Sequence, residues 1–171
     1  MLEALWQRLD NVARASLPFM STLLFTFLSV VAWPLPYIGT VMPPLALIAI
    51  YYWAIHRPDL FGPGMAFIIG LLFDVINFLP PGLSALLFVG VHQFVFWQRR
   101  FFSGHSFLML WSGFALTVIS FIIIEWIFLG IIRWQITPFF PVFMQAILVI
   151  FLFPLPCWML IRLQRSALSS N

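Results

Sequence analysis

Long apolar runs separated by short polar or proline-bearing stretches set the pattern of this chain. The first run spans Leu17 to Trp33 and is closed by Pro34 and Pro36; the second is Val41 to Trp53 and the third Phe61 to Leu79. The fourth is Leu83 to Trp97, the fifth Phe107 to Ile132, and the sixth starts near Pro138 and ends before Arg162. A helix rises 1.5 Å per residue, so runs of this kind are of the order needed for a hydrocarbon core roughly 30 Å thick. The pattern predicts an all-α integral membrane protein of six transmembrane helices, with five as the fallback if the short second run does not cross. Pro63 suits the first turn of the third helix, and Pro154 and Pro156 predict a kink in the sixth.

Ahead of the first run, Leu2, Leu5, Trp6, Leu9, Val12 and Ala13 recur at helical spacing, with Glu3, Gln7, Arg8, Asp10 and Arg14 opposite them. That division predicts an amphipathic segment over residues 1–16 lying in the membrane interface. Residues 17–163 then form a single polytopic membrane domain, and residues 164–171 a cytoplasmic tail.

Composition narrows the class. Of 171 residues, 63% are hydrophobic and 8% charged, whereas a soluble domain carries roughly a quarter charged residues. The net charge of +3 rests on arginine, since lysine is absent. With six crossings, Arg8, Arg14, Arg57, Arg99, Arg100, Arg162 and Arg165 share a side with both termini, and Arg133 stands alone on the other. Positive charge is retained on the cytoplasmic side, which puts both termini there. Trp33, Tyr37 and Trp134 are expected as aromatic anchors at the outer edge, and Tyr52, Trp53, Trp97 and Trp158 at the inner. Arginines placed between apolar spans report orientation, so nucleic acid is not an expected partner; the bilayer is.

Few residues could carry chemistry. Cys157 is the only cysteine, which excludes an intrachain disulfide and a cysteine-based metal cluster. No phosphate-binding glycine loop, metal-binding histidine pair or nucleophile elbow occurs. The connections, near 35–40, 80–82 and 133–137 outside and 56–62 and 98–106 inside, are too short for a soluble domain. No catalytic, cofactor-binding or metal-binding residues are therefore assigned.

Asp74 is the most informative position. On a helix Gly70, Asp74 and Asn77 share one face, and an acid at the centre of an apolar span costs roughly 2.5–3.5 kcal/mol on insertion scales. It is expected to face protein, either as a polar strut of the bundle or satisfied by neighbouring Ser or Asn side chains. As a strut it should tolerate Asn better than Leu. Glu125 lies eight residues before Arg133 between apolar neighbours Phe121 and Leu129. It should turn toward another helix, and with Asp74 at similar depth the two acids could form a cation or proton site countered by Arg133, or be satisfied separately. Gly113, Thr117 and Ser120 make a small-residue face on the fifth run, and Gly82, Ser84, Ala85 and Gly90 lighten the fourth; such faces allow close helix approach. His92 is read as a hydrogen-bonded core residue. Arg99-Arg100, flanked by Trp97 and Phe101-Phe102, is read as a topology anchor or a grip on anionic headgroups.

Gly70-Leu71-Leu72-Phe73-Asp74, followed by the Pro81-Gly82 turn and a second small-residue-rich helix, resembles the core of the rod shape-determining protein MreD family. Tyr52-Trp53 and His56-Arg57-Pro58 fit that family's lead-in, and the resemblance covers about residues 40–100. It implies a non-enzymatic membrane scaffold of the bacterial cell-elongation complex, in the inner membrane. Its partner would be an MreC-like bitopic membrane protein, with peptidoglycan synthases and MreB engaged directly or indirectly. Gly70, Asp74, Asn77, Pro81, Gly82, Gly113, Ser120 and Glu125 become the candidates for structural or partner contact. The resemblance also implies a bundle like the S-components of vitamin transporters.

A substrate-binding transporter subunit of that kind is the alternative. Against it stand the short outer connections and a first run that offers only Thr22-xxx-Thr26 to an energising partner. An intramembrane enzyme using Asp74 and Glu125 lacks any Gly-x-Gly-Asp sequence or paired Tyr-Asp.

Overall fold

The computed structural model describes residues 16–30, 33–35, 39–102, 107–134 and 138–168. Among them are seven helices: α1 (Ser16–Leu28), α2 (Ala46–His56), α3 (Pro63–Ile76), α4 (Leu83–Phe102), α5 (Phe107–Arg133), α6 (Phe139–Leu152) and α7 (Pro154–Leu168). Strands β1 (Trp33–Leu35) and β2 (Gly39–Val41) pair antiparallel between α1 and α2, with Trp33 opposite Val41. The amphipathic segment expected over 1–16 lies, Ser16 apart, outside the described residues, as do Tyr37, residues 103–106 and 135–137 of two connections, and the end of the tail, 169–171.

α2 is the centre of the bundle. Every residue from Ala46 to Ile55 is buried, and a helix apolar all round must be enclosed on all sides. Its three consecutive aromatic residues each send a polar tip to a different neighbour. The Tyr51 hydroxyl donates to the Leu110 carbonyl of α5 at 3.0 Å, that of Tyr52 to Gln164 Oε1 of α7 at 2.6 Å, and Trp53 Nε1–H to Ser21 Oγ of α1 at 3.0 Å. A buried donor left unmade costs about 1–3 kcal/mol, so these contacts fix the rotation of α2. Around Tyr51 the rings of Phe114 and Phe153 stack at 4.3 Å and meet its edge. The expected inner-edge anchors Tyr52 and Trp53 are therefore core residues, whereas Trp97, Trp158 and Trp134 are exposed.

α1 lines one side of α2. Its Ser21, Thr22, Thr26 and Ser29 hydroxyls donate back to carbonyls three or four residues earlier, which removes their cost in an apolar setting. Ser29 Oγ also accepts from Ala46 N–H at the start of α2. α1 and α2 thus run antiparallel, tied at both ends. α3 packs more closely on α4 than on any other element.

α1, α2 and α3 are shorter than their apolar runs. Among the described residues, α5 alone is long and apolar enough to cross a membrane by itself; α6 and α7, bent by 40° at Phe153, make a second span if taken as one. The break falls at Pro154, where a kink was expected. α1, α2 and α3 have 13, 11 and 14 residues, about 16–21 Å at 1.5 Å per residue. Hydropathy counts apolar residues whatever their backbone does. Here the ends of the first and second runs enter turns and the ribbon, and Phe61, Gly62 and 77–79 enter helix ends. The segment expected as a tail is helical to Leu168, and the fourth helix continues past Trp97 to Phe102.

Candidate functional site

The turn joining α3 to α4 is assembled from the residues singled out in the sequence. α3 ends in a Schellman arrangement: Leu79 N–H donates to Asp74 O at 2.9 Å and Phe78 N–H to Val75 O at 3.4 Å, with Phe78 at φ 53°. Pro80 to Leu83 then form a tight turn closed by Leu83 N–H to Pro80 O at 3.2 Å. Pro81 supplies the fixed φ of its second position and Gly82, at φ 97°, the left-handed third position of a type II turn.

Asp74 closes this turn. Its side chain is fully buried, and both oxygens accept backbone N–H groups, Oδ2 from Gly82 at 2.8 Å and Oδ1 from Ser84 at 2.9 Å. The first N–H groups of a helix have no partner within it, so an acid on α3 caps α4 across the turn. The partners are backbone, not the Ser and Asn side chains that the sequence suggested. Asn77 Nδ2 donates back to Phe73 O at 2.9 Å, and Ser84 Oγ is buried without a partner. One turn before Asp74, Gly70 meets α4 backbone to backbone. A Cβ there would fall on Ala85 Cα and lie 2.6 Å from Ala85 N and 2.9 Å from Ser84 C.

Glu125 takes a different path. It and Arg133 line a cleft of about 480 Å³ between the end of α3, α5 and α6. Phe73, Ile122, Leu129 and Val142 give apolar walls, and Asn77 and Gln145 add amides. Among the described residues the Glu125 carboxyl has no hydrogen-bond or ion-pair partner. Arg133 donates to the Phe78 carbonyl at 3.4 Å; among the described residues it forms no ion pair with either acid. Asp74 and Glu125 lie within electrostatic range of each other, but Asp74 is committed to capping α4. Gln145, which donates from Nε2 to Met42 O at 2.9 Å, was missed in the sequence, although a lone amide in the run Phe139–Leu152 was visible there.

The remaining candidates are dispersed. Gly113 is half-buried, and its carbonyl accepts from Thr117 Oγ1. Ser120 faces outward, bonded to its own helix at Leu116 O. Gly90 is exposed, with open space where a Cβ would stand. His92 is buried and bonds Phe61 O through Nε2 at 2.8 Å, leaving Nδ1 without a partner. At the end opposite Arg133, Arg57 pairs with Asp59 at 3.1 Å. That hydrogen bond, with the charges of Arg57 and Arg99, holds the Asp59 carboxyl below its ordinary range. Arg99 lies over the Phe96 ring and Arg162 over that of Trp158; the side chains of Arg100 and Arg165 are outside the described residues.

No group of three His, Cys, Asp or Glu side chains able to hold a metal occurs among the described residues, and Cys157 is buried. The arrangement is a capped hairpin beside a polar-lined cleft. A family model described as rod shape-determining protein MreD matches residues 11–164. No curated protein and no solved structure matches the chain.

Proposed function

The chain belongs to the rod shape-determining protein MreD family, a family of bacterial membrane proteins, and from that premise we propose that it is a multi-pass scaffold of the cell-elongation complex. In this reading it binds the membrane segment of an MreC-like bitopic protein and, through it or directly, meets MreB and the peptidoglycan synthases. The family match over residues 11–164 is the observation that carries the proposal.

The course of the helices supports the multi-pass topology. Ser29 and Ala46 meet at one end of α1 and α2, Ser21 and Trp53 toward the other. α3 runs from the Arg57–Asp59 end to Phe78, beside Arg133, and α4 returns to Arg99, whose charge reaches Asp59. α5 runs on to Arg133, and the bent α6–α7 pair returns to Gln164 beside Tyr52. Arg57, Arg99 and Arg162 thus lie toward one end and Arg133 at the other. The positive-inside rule makes the first end cytoplasmic, with both termini, in the inner membrane.

The partner surface we assign to the outward face of α5, where Leu116, Ile119 and Ile123 are exposed around Ser120. A small residue among larger ones lets a second helix approach closely. The transporter-subunit alternative draws on the cleft beside Glu125. Thr22 and Thr26, however, are buried in the bundle, so α1 offers no such face to an energising partner.

The test is affinity purification of the full chain from solubilised membranes, with mass spectrometry of the co-purifying proteins. A bitopic coiled-coil protein is expected with the wild type. It should be depleted at least tenfold, about 1.4 kcal/mol, with Ser120→Leu at unchanged membrane abundance. Recovery of an ATPase module instead would overturn the scaffold reading. Unchanged recovery with both Ser120→Leu and Ile119→Trp would remove the assigned surface.

A further inference from the structure

The cleft between α3, α5 and α6 carries an imbalance of hydrogen-bonding groups. Two amides and a carboxyl line it, and both amides turn their NH₂ groups away. Asn77 Nδ2 donates to Phe73 O and Gln145 Nε2 to Met42 O; the carbonyl partners fix which end of each amide is nitrogen. Asn77 Oδ1, Gln145 Oε1 and the Glu125 carboxyl are left as acceptors without a donor among the described residues. Arg133, the charged donor on the lining, gives one N–H to the Phe78 carbonyl at 3.4 Å and forms no ion pair with Glu125 among the described residues. These acceptors face the cleft rather than being sealed in the core, and a lone acid within an apolar span marks a site for which a partner is wanted. Acceptors in excess beside a carboxyl without a partner are met by a head that brings several N–H donors at once, as an ammonium does.

The walls add the rest of the description. Ile122, Leu129 and Val142 are apolar, and the cleft is open at one side rather than sealed. At about 480 Å³ it falls in the range of small-molecule sites, roughly 300–1,000 Å³. We infer that this cleft binds an amphipathic molecule with a primary ammonium head, its N–H groups donating to Glu125, Asn77 and Gln145 and its apolar part lying along Ile122, Leu129 and Val142. A primary ammonium has three donors, matching the three acceptor groups. Where the head also carries a phosphate, Arg133 stands on the same lining to meet it. The ammonium has two sources, an ethanolamine phospholipid from the bilayer or a free amphipathic amine.

Native mass spectrometry of the purified full chain separates them. Protein reconstituted in bilayers of phosphatidylethanolamine, phosphatidylcholine and phosphatidylglycerol is released into detergent and its retained lipids are read by mass. Retention of phosphatidylethanolamine over both other lipids by about tenfold supports the site and names the bilayer as source. The choline lipid is the sharper comparison, because its quaternary ammonium has no N–H to donate. In a second arm dodecylamine is added to protein prepared without the ethanolamine lipid; its retention, without enrichment of that lipid, supports the site with a free amine as source. Glu125→Gln, which keeps the shape but turns one acceptor oxygen into an NH₂ that cannot accept, should lose either adduct. So should Leu129→Trp, which fills the cleft, while Leu155→Trp on the exposed face of α7 should keep it. The proposal is overturned if neither probe is retained, if choline and ethanolamine lipids are retained alike, or if Glu125→Gln and Leu129→Trp both bind as the wild type does. Co-purification of the bitopic partner is expected to survive Glu125→Gln, so failure here leaves the scaffold reading standing.

Discussion

Replacing Asp74 tests whether one side chain holds the α3–α4 hairpin closed. Its two oxygens accept from Gly82 and Ser84 N–H at 2.8 and 2.9 Å in a fully buried setting. Hydrogen bonds to a charged group contribute roughly 1.5–3 kcal/mol each. Asp74→Asn keeps one acceptor but turns an NH₂ toward the other N–H, which cannot accept, so about 1.5–3 kcal/mol is lost. Asp74→Leu removes both acceptors and strands two backbone donors, about 3–6 kcal/mol by the same reckoning, a large share of a native stability of roughly 5–15 kcal/mol. The sequence alone suggested that Asn would be well tolerated; two converging N–H donors make it an intermediate case. Thermal unfolding of the detergent-solubilised protein, followed by tryptophan fluorescence, should place Asn roughly 3–12 °C below the wild type and Leu lower still. An Asn variant as stable as the wild type, or a Leu variant no worse than Asn, would refute the two-bond cap.

How much of this was readable beforehand depends on the residue. The boundaries of α5 and the break at Pro154 follow from unbroken apolarity and from a ring that cannot continue a helix. The Pro80-Pro81-Gly82 turn follows from the φ each residue prefers. Asp74 could be assigned to the protein side because an acid in lipid is costly, yet its partners could not be named. Backbone N–H groups eight and ten residues onward leave no mark in the sequence beyond the spacing of acid to turn. α2 was the main blind spot. A run apolar on every side reads the same whether lipid or protein surrounds it, because lipid tails are as apolar as leucine. Tyr52 and Trp53 therefore looked like interface anchors when they are the bundle's core. The ribbon Trp33–Val41 escaped because Pro34 reads as a breaker, whereas a two-stranded ribbon leaves each strand an open edge where a residue without N–H is tolerated.

Two further substitutions probe the same hairpin from its outer and inner sides. Phe78 holds φ 53° with its ring 89% exposed, so Phe78→Gly should relieve the left-handed strain, about 1–2 kcal/mol, against roughly 0.5–1 kcal/mol of added chain entropy. The expected net is a small rise in unfolding temperature, and a clear fall would mean the ring does more than sit in the open. Gly70→Ala should act in the opposite sense. The added methyl would fall on Ala85 Cα, with Ala85 N at 2.6 Å and Ser84 C at 2.9 Å, and these are backbone atoms that cannot rotate aside. α3 and α4 must therefore separate, and overpacking of this kind costs typically 1–3 kcal/mol. Separation also pulls Asp74 from Gly82 and Ser84, since the cap and the crossing lie one helical turn apart on the same face. Gly70→Ala and Asp74→Asn should consequently be less than additive in the double variant, because the first has already weakened the bonds that the second removes. Strict additivity would show that the crossing at Gly70 and the cap at Asp74 are independent, and would undo the account of the hairpin as one unit.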